Sequence, residues 1–447
     1  MGLLLTFVPR CKMFAMDRDY SATLQFLFTQ LPMYQRVGAA AYKANLDNTL
    51  ALDAHYGHPH RYFRSVHVAG TNGKGSTSHM LAAVLQRAGY CVGLYTSPHL
   101  RDFRERIRVN GEMISEADVV RFVADGRPLF ERLRPSFFEM TVAMAFSYFA
   151  QQHVDVAVVE VGLGGRLDST NIIEPEVAVV TNIALDHMAL LGGTVQRIAA
   201  EKAGIFKQGV PAVLGQDQPP TNAVFEAAAQ QVGAPLIKAW QRYAPIDVDT
   251  IPHPDGLQRV SVRCAGGQVK TYSLDLMGQY QRLNLPGVLC AIDALRERGF
   301  SIADGHIELG MSAVQVSTGL MGRWQRLGSR PDIFCDIGHN ADGIAQVVRQ
   351  IKAQRYARLH FVLGVAGDKD VEPMLALLPT QARYYFVQAG IPRALDAERL
   401  MQLAQRHGLS GELCGPVAEG LARARAQSAP DDLIVVGGSA FVVAEVV

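Results

Sequence analysis

Apolar residues recur at helical spacing between about residues 20 and 52, first at Leu24, Phe26, Leu27 and Leu31, later at Leu46, Leu50 and Leu52. Pro59 closes that segment, and a β-prone run (Tyr62, Phe63, Val66, Val68) follows. Met80, Leu81, Val84 and Leu85 then share one helix face, with Gly89 as a stop signal. Residues 91–96 predict a strand, 115–133 a helix and 141–149 a second, apolar helix. The stretch VDVAVVEV at 154–161 is almost continuously apolar, as expected for the buried centre of a parallel sheet. A similar run spans 177–183, before a helix at 196–207 and a short strand at 211–215. Strands alternating with helices predict an α/β fold with a mostly parallel sheet. Residues 260–276 read as a β-hairpin turning at Gly266 and Gly267, and 284–298 as a helix. Residues 319–328 have the composition of a connector.

A second alternation begins at residue 331. Strands are predicted at 331–336, 359–364, 384–388 and 433–436, and helices at 345–354, 371–378, 397–407 and 417–426. This is a doubly wound α/β unit of about 120 residues, an ordinary domain size. The boundary is placed near Arg323, giving units 20–322 and 323–447 after an extension at 1–19.

Composition narrows the class. A chain of 447 residues exceeds most single cores, and 49% apolar with 19% charged residues suits large buried cores. A net charge of +1 supplies no global field for nucleic acid or an anionic membrane, so anion binding must be local. Six scattered cysteines without a CxxC pair fit free thiols in a reducing cytoplasm better than disulfides or zinc. The apolar run at residues 3–8 is too short to span a bilayer and lacks the flanks of a secretion leader. An over-long start, with Met13 or Met16 as initiator, is the expectation there.

The candidate chemistry sits at strand ends, where open α/β sheets bind their ligands. Residues 67–77 read HVAGTNGKGST. Gly70, Gly73 and Gly75 allow a sharp turn, Lys74 adds a fixed charge, and the helix that follows points its positive end inward. The common P-loop has four residues between its glycines and Ser or Thr directly after Lys. Here only Thr71 and Asn72 separate Gly70 from Gly73, and Gly75 stands between Lys74 and Ser76; the alternative is an ordinary Gly-rich strand–helix turn. Ser97, Glu160 and Asp186-His187 end further strands, so hydroxyl, carboxylate and imidazole are available for Mg²⁺ beside a triphosphate. Taken singly, a Glu or His after a strand is as readily structural. GLGGRLDSTN at 162–171 does not match GxGxxG, and no G-x-S-x-G elbow is present. The charged run at 101–108 reads as solvated surface.

Six ordered motifs then carry a resemblance: GTNGKGS at 70–76, TSPHL at 96–100, EVGLGGRLDSTN at 160–171, ALDH at 184–187, EKAGIF at 201–206 and DIGHN at 336–340. From about residue 20 to its end the chain resembles the folylpolyglutamate synthase/dihydrofolate synthase family, a branch of the Mur ligases. The resemblance implies an ATP-binding central domain and a smaller glutamate-ligase domain. It also implies a reaction in which the γ-phosphate of ATP passes to a substrate carboxylate and L-glutamate attacks the acyl phosphate. Catalysis of that kind is mostly positioning and charge neutralisation.

Carried over motif by motif, Thr71, Asn72, Gly73, Lys74, Gly75 and Ser76 cradle phosphates. Ser97, Glu160 and His187 ligate one or two Mg²⁺. Lys202 matches a lysine that the family carbamylates, the alternative being an unmodified helix-surface lysine. Asn284, Arg323 and Asp336 fall where the family contacts ATP, and Asp336 with His339 forms a D-x-x-H-N motif on the glutamate side. Ala341 follows it where proline is common, a minor change. Ser136, Phe137, Phe138, Glu139, Leu167, Asp168 and Ser169 line the pterin pocket in bifunctional members, and Ser439 matches a small-hydroxyl position. Aromatic residues before a helix, such as these two phenylalanines, are more often simple core. Implied partners are L-glutamate, dihydropteroate and reduced folates, with ATP, Mg²⁺ and room for a monovalent cation. A cytoplasmic monomer without nucleic-acid or membrane partners is expected. Two alternatives stay open: a Mur-type ligase of a nucleotide-linked muramyl precursor, and a P-loop ATPase or regulatory protein without ligase chemistry. The first would normally need a larger N-terminal domain, and the second has no use for Lys202, Asp336 and His339.

Overall fold

The computed structural model describes residues 10–30, 45–248, 256–367 and 370–447. Helices α1 (Arg10–Gln30) and α2 (Asp47–His55) lead into β1 (Arg64–Ala69), α3 (Lys74–Arg87) and β2 (Val92–Tyr95). Short strands β3 (Ile107–Val109) and β4 (Glu112–Met113) precede α4 (Glu116–Leu133), α5 (Phe137–Gln151), β5 (Val156–Glu160) and β6 (Val177–Val180). Next come α6 (Met188–Leu191), α7 (Val195–Ala203), β7 (Ala212–Leu214), α8 (Pro219–Val232), β8 (Leu236–Lys238) and α9 (Ala239–Arg242). These strands form one eight-stranded sheet in the order β4-β3-β2-β5-β1-β6-β7-β8, antiparallel only where β3 meets β2 and β4.

The centre of that sheet explains its sequence. On β5, Val156 and Val158 join the cluster that packs under α3, while Ala157 and Val159 join the cluster under α5. Both faces are covered, so the strand has no polar alternation until Glu160. Each such valine contributes about 1.5 kcal/mol by leaving water.

A three-stranded antiparallel sheet of β9 (Tyr243–Val248), β10 (Gln258–Cys264) and β11 (Val269–Leu274) packs beside it. Helices α10 (Gln281–Glu297), α11 (Asp304–Met311) and α12 (Val314–Thr318) follow. The second unit contains β12 (Gln325–Gly328), β13 (Asp332–Asp336), α13 (Ala341–Lys352), β14 (Leu359–Leu363), α14 (Glu372–Leu375) and β15 (Arg383–Gln388). It ends with α15 (Ala397–Arg406), β16 (Gly411–Pro416), α16 (Val417–Gln427), β17 (Leu433–Gly437) and α17 (Ala440–Ala444). Its sheet runs β12-β13-β17-β14-β15-β16, with β12 antiparallel and the rest parallel.

Several expectations change. The 319–328 connector contains β12, which pairs with β13. The helix expected at 371–378 is one turn, Glu372–Leu375. The pattern missed α8, whose Ala- and Gln-rich sequence has few large apolar residues to mark a period, and it missed β16, which is only partly buried. The charged run at 101–108 is not a solvated surface: Phe103, Arg106 and Arg108 are buried. Antiparallel pairing of β3 against β2 draws it inward. Arg106 lies over the Phe137 ring at 5.2 Å and donates to His99 Nδ1 at 2.7 Å, while Arg108 donates to the Gly111 carbonyl at 2.9 Å.

The helical reading of 20–52 holds on both sides of residues 31–44, which lie outside the described residues, as does the apolar run at 3–8. α1 starts at Arg10, within the stretch read as an extension. Cys91, Cys264, Cys290, Cys335 and Cys414 are free thiols. No helix among the described residues is long and apolar enough to cross a membrane.

Candidate functional site

The order β2-β5-β1-β6 puts four strand ends side by side, and the candidate residues gather there. At the end of β1 the loop turns through Gly73, the N-cap of α3, at φ +84°. A Cβ on Gly73 would lie 2.3 Å from Asn284 Oδ1, and one on Gly75 3.1 Å from Arg323 Nη2. The loop is thus a cradle that side chains would fill. Its open donors are the first-turn N–H groups of α3, from Lys74, Gly75 and Ser76, which precede the first intrahelical bond. Thr71 and Asn72 were expected to share this task, but their N–H groups donate to Asn182, to its carbonyl and its Oδ1 respectively, each at 2.8 Å. They shape the loop.

We expect Gly73→Ala to raise the KM for ATP about tenfold or more, because a left-handed φ and the Asn284 clash together cost about 2 kcal/mol. Nucleotide titration with a thermal-melt control checks this.

Glu160, at the end of β5, is 4% exposed. Its Oε2 accepts from the Ser97 N–H at 3.0 Å, so the ends of β5 and β2 are tied together. Burial pushes its carboxyl up, while Lys74, the Ser97 N–H and Arg323 pull it back. Glu160 and Ser97 line a small cavity of about 40 Å³ with Gly75 and Arg323, and Ser97 also borders the main cavity with His187. An anionic oxygen and a hydroxyl beside a phosphate cradle are the hard donors that Mg²⁺ takes, so the donor set fits that ion. Among the described residues no group of three or more His, Cys, Asp or Glu gathers as a self-sufficient metal site.

The main cavity, of about 270 Å³, lies between the two units. Lys74, Ser97, His187 and Lys202 border it at the end nearest the glycine loop. Ser136, Phe137, Phe138, Glu139, Leu167, Asp168 and Ser169 form the opposite wall, and His339 and Ser439 approach from the second unit. The seven residues expected to hold the acceptor and Ser439 therefore meet in one place. Their polar atoms also have local work. Ser136 Oγ and Glu139 form a capping box at the start of α5, which begins at Phe137 rather than residue 141. The S-x-x-E spacing was a legible signal for that cap. Asp168 accepts from the Leu163 N–H at 2.8 Å, the Thr170 N–H at 3.0 Å and the Thr170 hydroxyl. Burial raises its carboxyl despite these donors.

Lys202 is not a helix-surface lysine. It is 4% exposed and donates from Nζ to the Gly70 carbonyl at 2.8 Å. Burial, and after it the charge of Lys74, lowers it to about 7. Asn284 donates to Gln281 Oε1 at 2.8 Å, and Gln281 donates to Ser76 Oγ at 3.1 Å, so α10 braces the loop. Arg323 donates to the Met321 carbonyl at 3.1 Å beside Gly75.

Asp336 was expected among the catalytic and ATP-binding groups, and the structure gives its side chain other partners. Oδ2 accepts from the Tyr280 hydroxyl at 2.6 Å and the Trp324 N–H at 2.9 Å, and Oδ1 accepts from the Gly338 N–H at 2.8 Å. It fastens the junction between the units and does not border the cavity. His339 does border it, with Nε2 3.3 Å from Asp186 Oδ2 and Nδ1 3.0 Å from the Ile337 carbonyl. The sequence reading missed Arg106, Arg393 and Phe441 in the cavity wall. Arg106 was hidden in a charged run; Arg393 and Phe441 reach the site only through the packing of the second unit.

Comparison with known proteins agrees with this layout. Residues 68–292 match the Mur ligase middle domain and residues 322–440 the Mur ligase glutamate ligase domain. The chain is 35% identical over 374 residues to the dihydrofolate synthase/folylpolyglutamate synthase of Bacillus subtilis, covering 81% of this chain and 85% of that protein. It is 35% identical over 442 residues to a Haloferax volcanii protein named a probable bifunctional folylpolyglutamate synthase/dihydropteroate synthase, covering 96% of this chain. The chain spans half the length of that longer relative. Among solved structures, the E. coli FolC complex with DHPP and ADP superposes with a TM-score of 0.82 at 31% identity, covering 96% of each chain. A bifunctional folylpolyglutamate synthase/dihydrofolate synthase with Mn, AMPPNP and L-glutamate bound gives 0.80 at 28% identity, covering 96% of this chain and 97% of that one.

Proposed function

Because the chain belongs to the folylpolyglutamate synthase/dihydrofolate synthase family of Mur ligases, we propose that it joins L-glutamate to dihydropteroate and to reduced folates at the expense of ATP. The observation that carries this reading is the single cavity that joins a phosphate cradle, an aromatic wall and the His339 face of the second unit. A carboxylate whose flat ring system rests on Phe137 and Phe138 faces Lys74. Its oxygen attacks the γ-phosphorus of ATP and ADP leaves, forming an acyl phosphate. The neutral amine of glutamate then attacks the carbonyl carbon, phosphate leaves with the C–O bond pair, and the surplus amine proton passes to the departing phosphate, giving the amide and hydrogen phosphate. Lys74 and the α3 N–H groups neutralise the phosphate charge, and the second unit shields the acyl phosphate from water. Ser97, Glu160 and His187 would hold Mg²⁺, which supplies charge neutralisation and template geometry when bound. A monovalent cation and a monomeric, cytoplasmic enzyme with domains parting near Arg323 complete the proposal.

The test is ADP release by purified protein. Release that requires both glutamate and a pteroate or folate acceptor is expected; ATP turnover indifferent to both would overturn the reading. The same assay separates a muramyl ligase, since neither acceptor would then be used.

The environment of Lys202 supports carbamylation. A lysine near 7 is roughly half neutral at pH 7, against about one in 3000 for an ordinary one. The neutral amine adds to CO₂ and loses a proton, turning a buried cation into an anion beside the metal donors. Activity should therefore fall on CO₂ depletion and return with bicarbonate, and Lys202→Arg should not respond. A plain lysine in a well-resolved nucleotide complex of the active enzyme would end the idea.

A further inference from the structure

We propose that Asn340 is a positioning residue that seats the second unit on the nucleotide loop; this rests on the ligase reading above. Asn72, at the tip of the loop, turns its side chain to the second unit. It forms a reciprocal amide pair with Asn340, 268 residues away: Asn72 Nδ2 donates to Asn340 Oδ1 at 3.1 Å and Asn340 Nδ2 donates to Asn72 Oδ1 at 3.0 Å. The same Asn72 amide donates to Asp342 Oδ2 at 2.8 Å, and Asn182 Nδ2 donates to that oxygen at 3.1 Å.

The orientation of the pair is fixed on both sides. Asn340 Oδ1 caps α13 by accepting from the Gly343 N–H at 2.8 Å, so its other atom must be the nitrogen. That nitrogen also donates to Asp186 Oδ2 at 3.1 Å, the oxygen that faces His339 Nε2. Asn340 is 5% exposed, and no capacity of its side chain is left over. One residue thus joins the tip of the nucleotide loop, the start of α13 and the carboxylate against which His339 rests. Docking of the second unit therefore places His339 in the cavity and steadies the loop in the same event.

The discriminating variant is Asn340→Asp. Asp caps a helix as well as Asn, so α13 keeps its start. The new carboxylate cannot donate to Asn72 or Asp186 and stands against a like charge. We expect kcat to fall about tenfold to a hundredfold, the range for stranding buried partners. The KM for glutamate should rise and the KM for ATP should move less than about twofold, since the cradle donors are untouched. Asn340→Asp combined with Asp186→Asn returns a donor to the pair and should lose less than the two single changes multiplied together. Wild-type kcat and glutamate KM in a folded Asn340→Asp protein would overturn the proposal, as would strictly multiplicative losses in the double variant.

Should Asn340→Asp fail to fold, Asp342→Ala is the substitute, with about a threefold to tenfold loss expected from losing its bonds to Asn72 and Asn182; no loss would count against the proposal. Small-angle scattering of the full chain with ADP separates the two readings. A larger radius of gyration in Asn340→Asp supports seating even if the wild type shows no glutamate-dependent turnover, a result that would remove the ligase reading instead.

Discussion

Lys74→Ala is expected to lower kcat for glutamate ligation by about a thousandfold or more, leaving the fold intact. Removing one preorganised charge from a water-excluded site typically costs about 3–4 kcal/mol at the transition state, and in the proposed reaction the charge faces a transferring phosphoryl group. Lys74 stands at the first position of α3 and borders the cavity, its ammonium donating to the Thr71 carbonyl at 3.1 Å. That bond closes the loop on itself and is not needed for packing, so the melting temperature should hardly change. Steady-state kinetics with circular dichroism as the control decides it, and an active, folded variant would refute the role.

Glu160→Gln is expected to cost about a hundredfold to a thousandfold and to abolish the rise of activity with Mg²⁺. The amide is nearly isosteric, and its oxygen still accepts from the Ser97 N–H, so the tie between β5 and β2 persists. The change removes a negative charge at a strand end where Lys74, Arg323 and Arg106 all act on it. Burial pushes the Glu160 carboxyl up in the free protein, so Mg²⁺ held there as proposed would compete with a proton. Activity at limiting Mg²⁺ should therefore decline as the pH falls through the acid range and recover at saturating Mg²⁺. Magnesium titrations at several pH values check both statements, and kinetics identical to wild type would exclude Glu160 as a ligand.

How much of this was legible beforehand follows from the range of the forces concerned. The central strands were readable because burial on both faces leaves an almost uninterrupted apolar run, as at Val156 to Val159. The loop was readable because its glycines and Lys74 are contiguous. Strand ends could be lined up because a parallel sheet delivers them all to one edge. Arg106 could not be found in this way: an arginine in RDFRERIR carries no local mark of being folded under an aromatic ring. The pairing of Asn72 with Asn340, like the arrival of Arg393 and Phe441, depends on how two separately built sheets meet. Lys202 was located by its motif, but its burial beneath the Gly70 carbonyl is a property of the packed loop. Asp336 was located by its motif too, but the bonds of its carboxylate to Tyr280, Trp324 and Gly338 arise only where the units meet.

That junction also equips the protein with an optical signal. The chain has two tryptophans, and Trp324 is stacked on Phe334 with ring centroids 5.0 Å apart and planes 13° from parallel. Its backbone N–H is held by Asp336, and its indole is 2% exposed. An indole so shielded emits at short wavelength and resists aqueous quenchers. With Trp240 replaced by Phe, the emission of Trp324 becomes a private reporter of the seam between the units, readable in a stopped-flow cuvette without any attached dye.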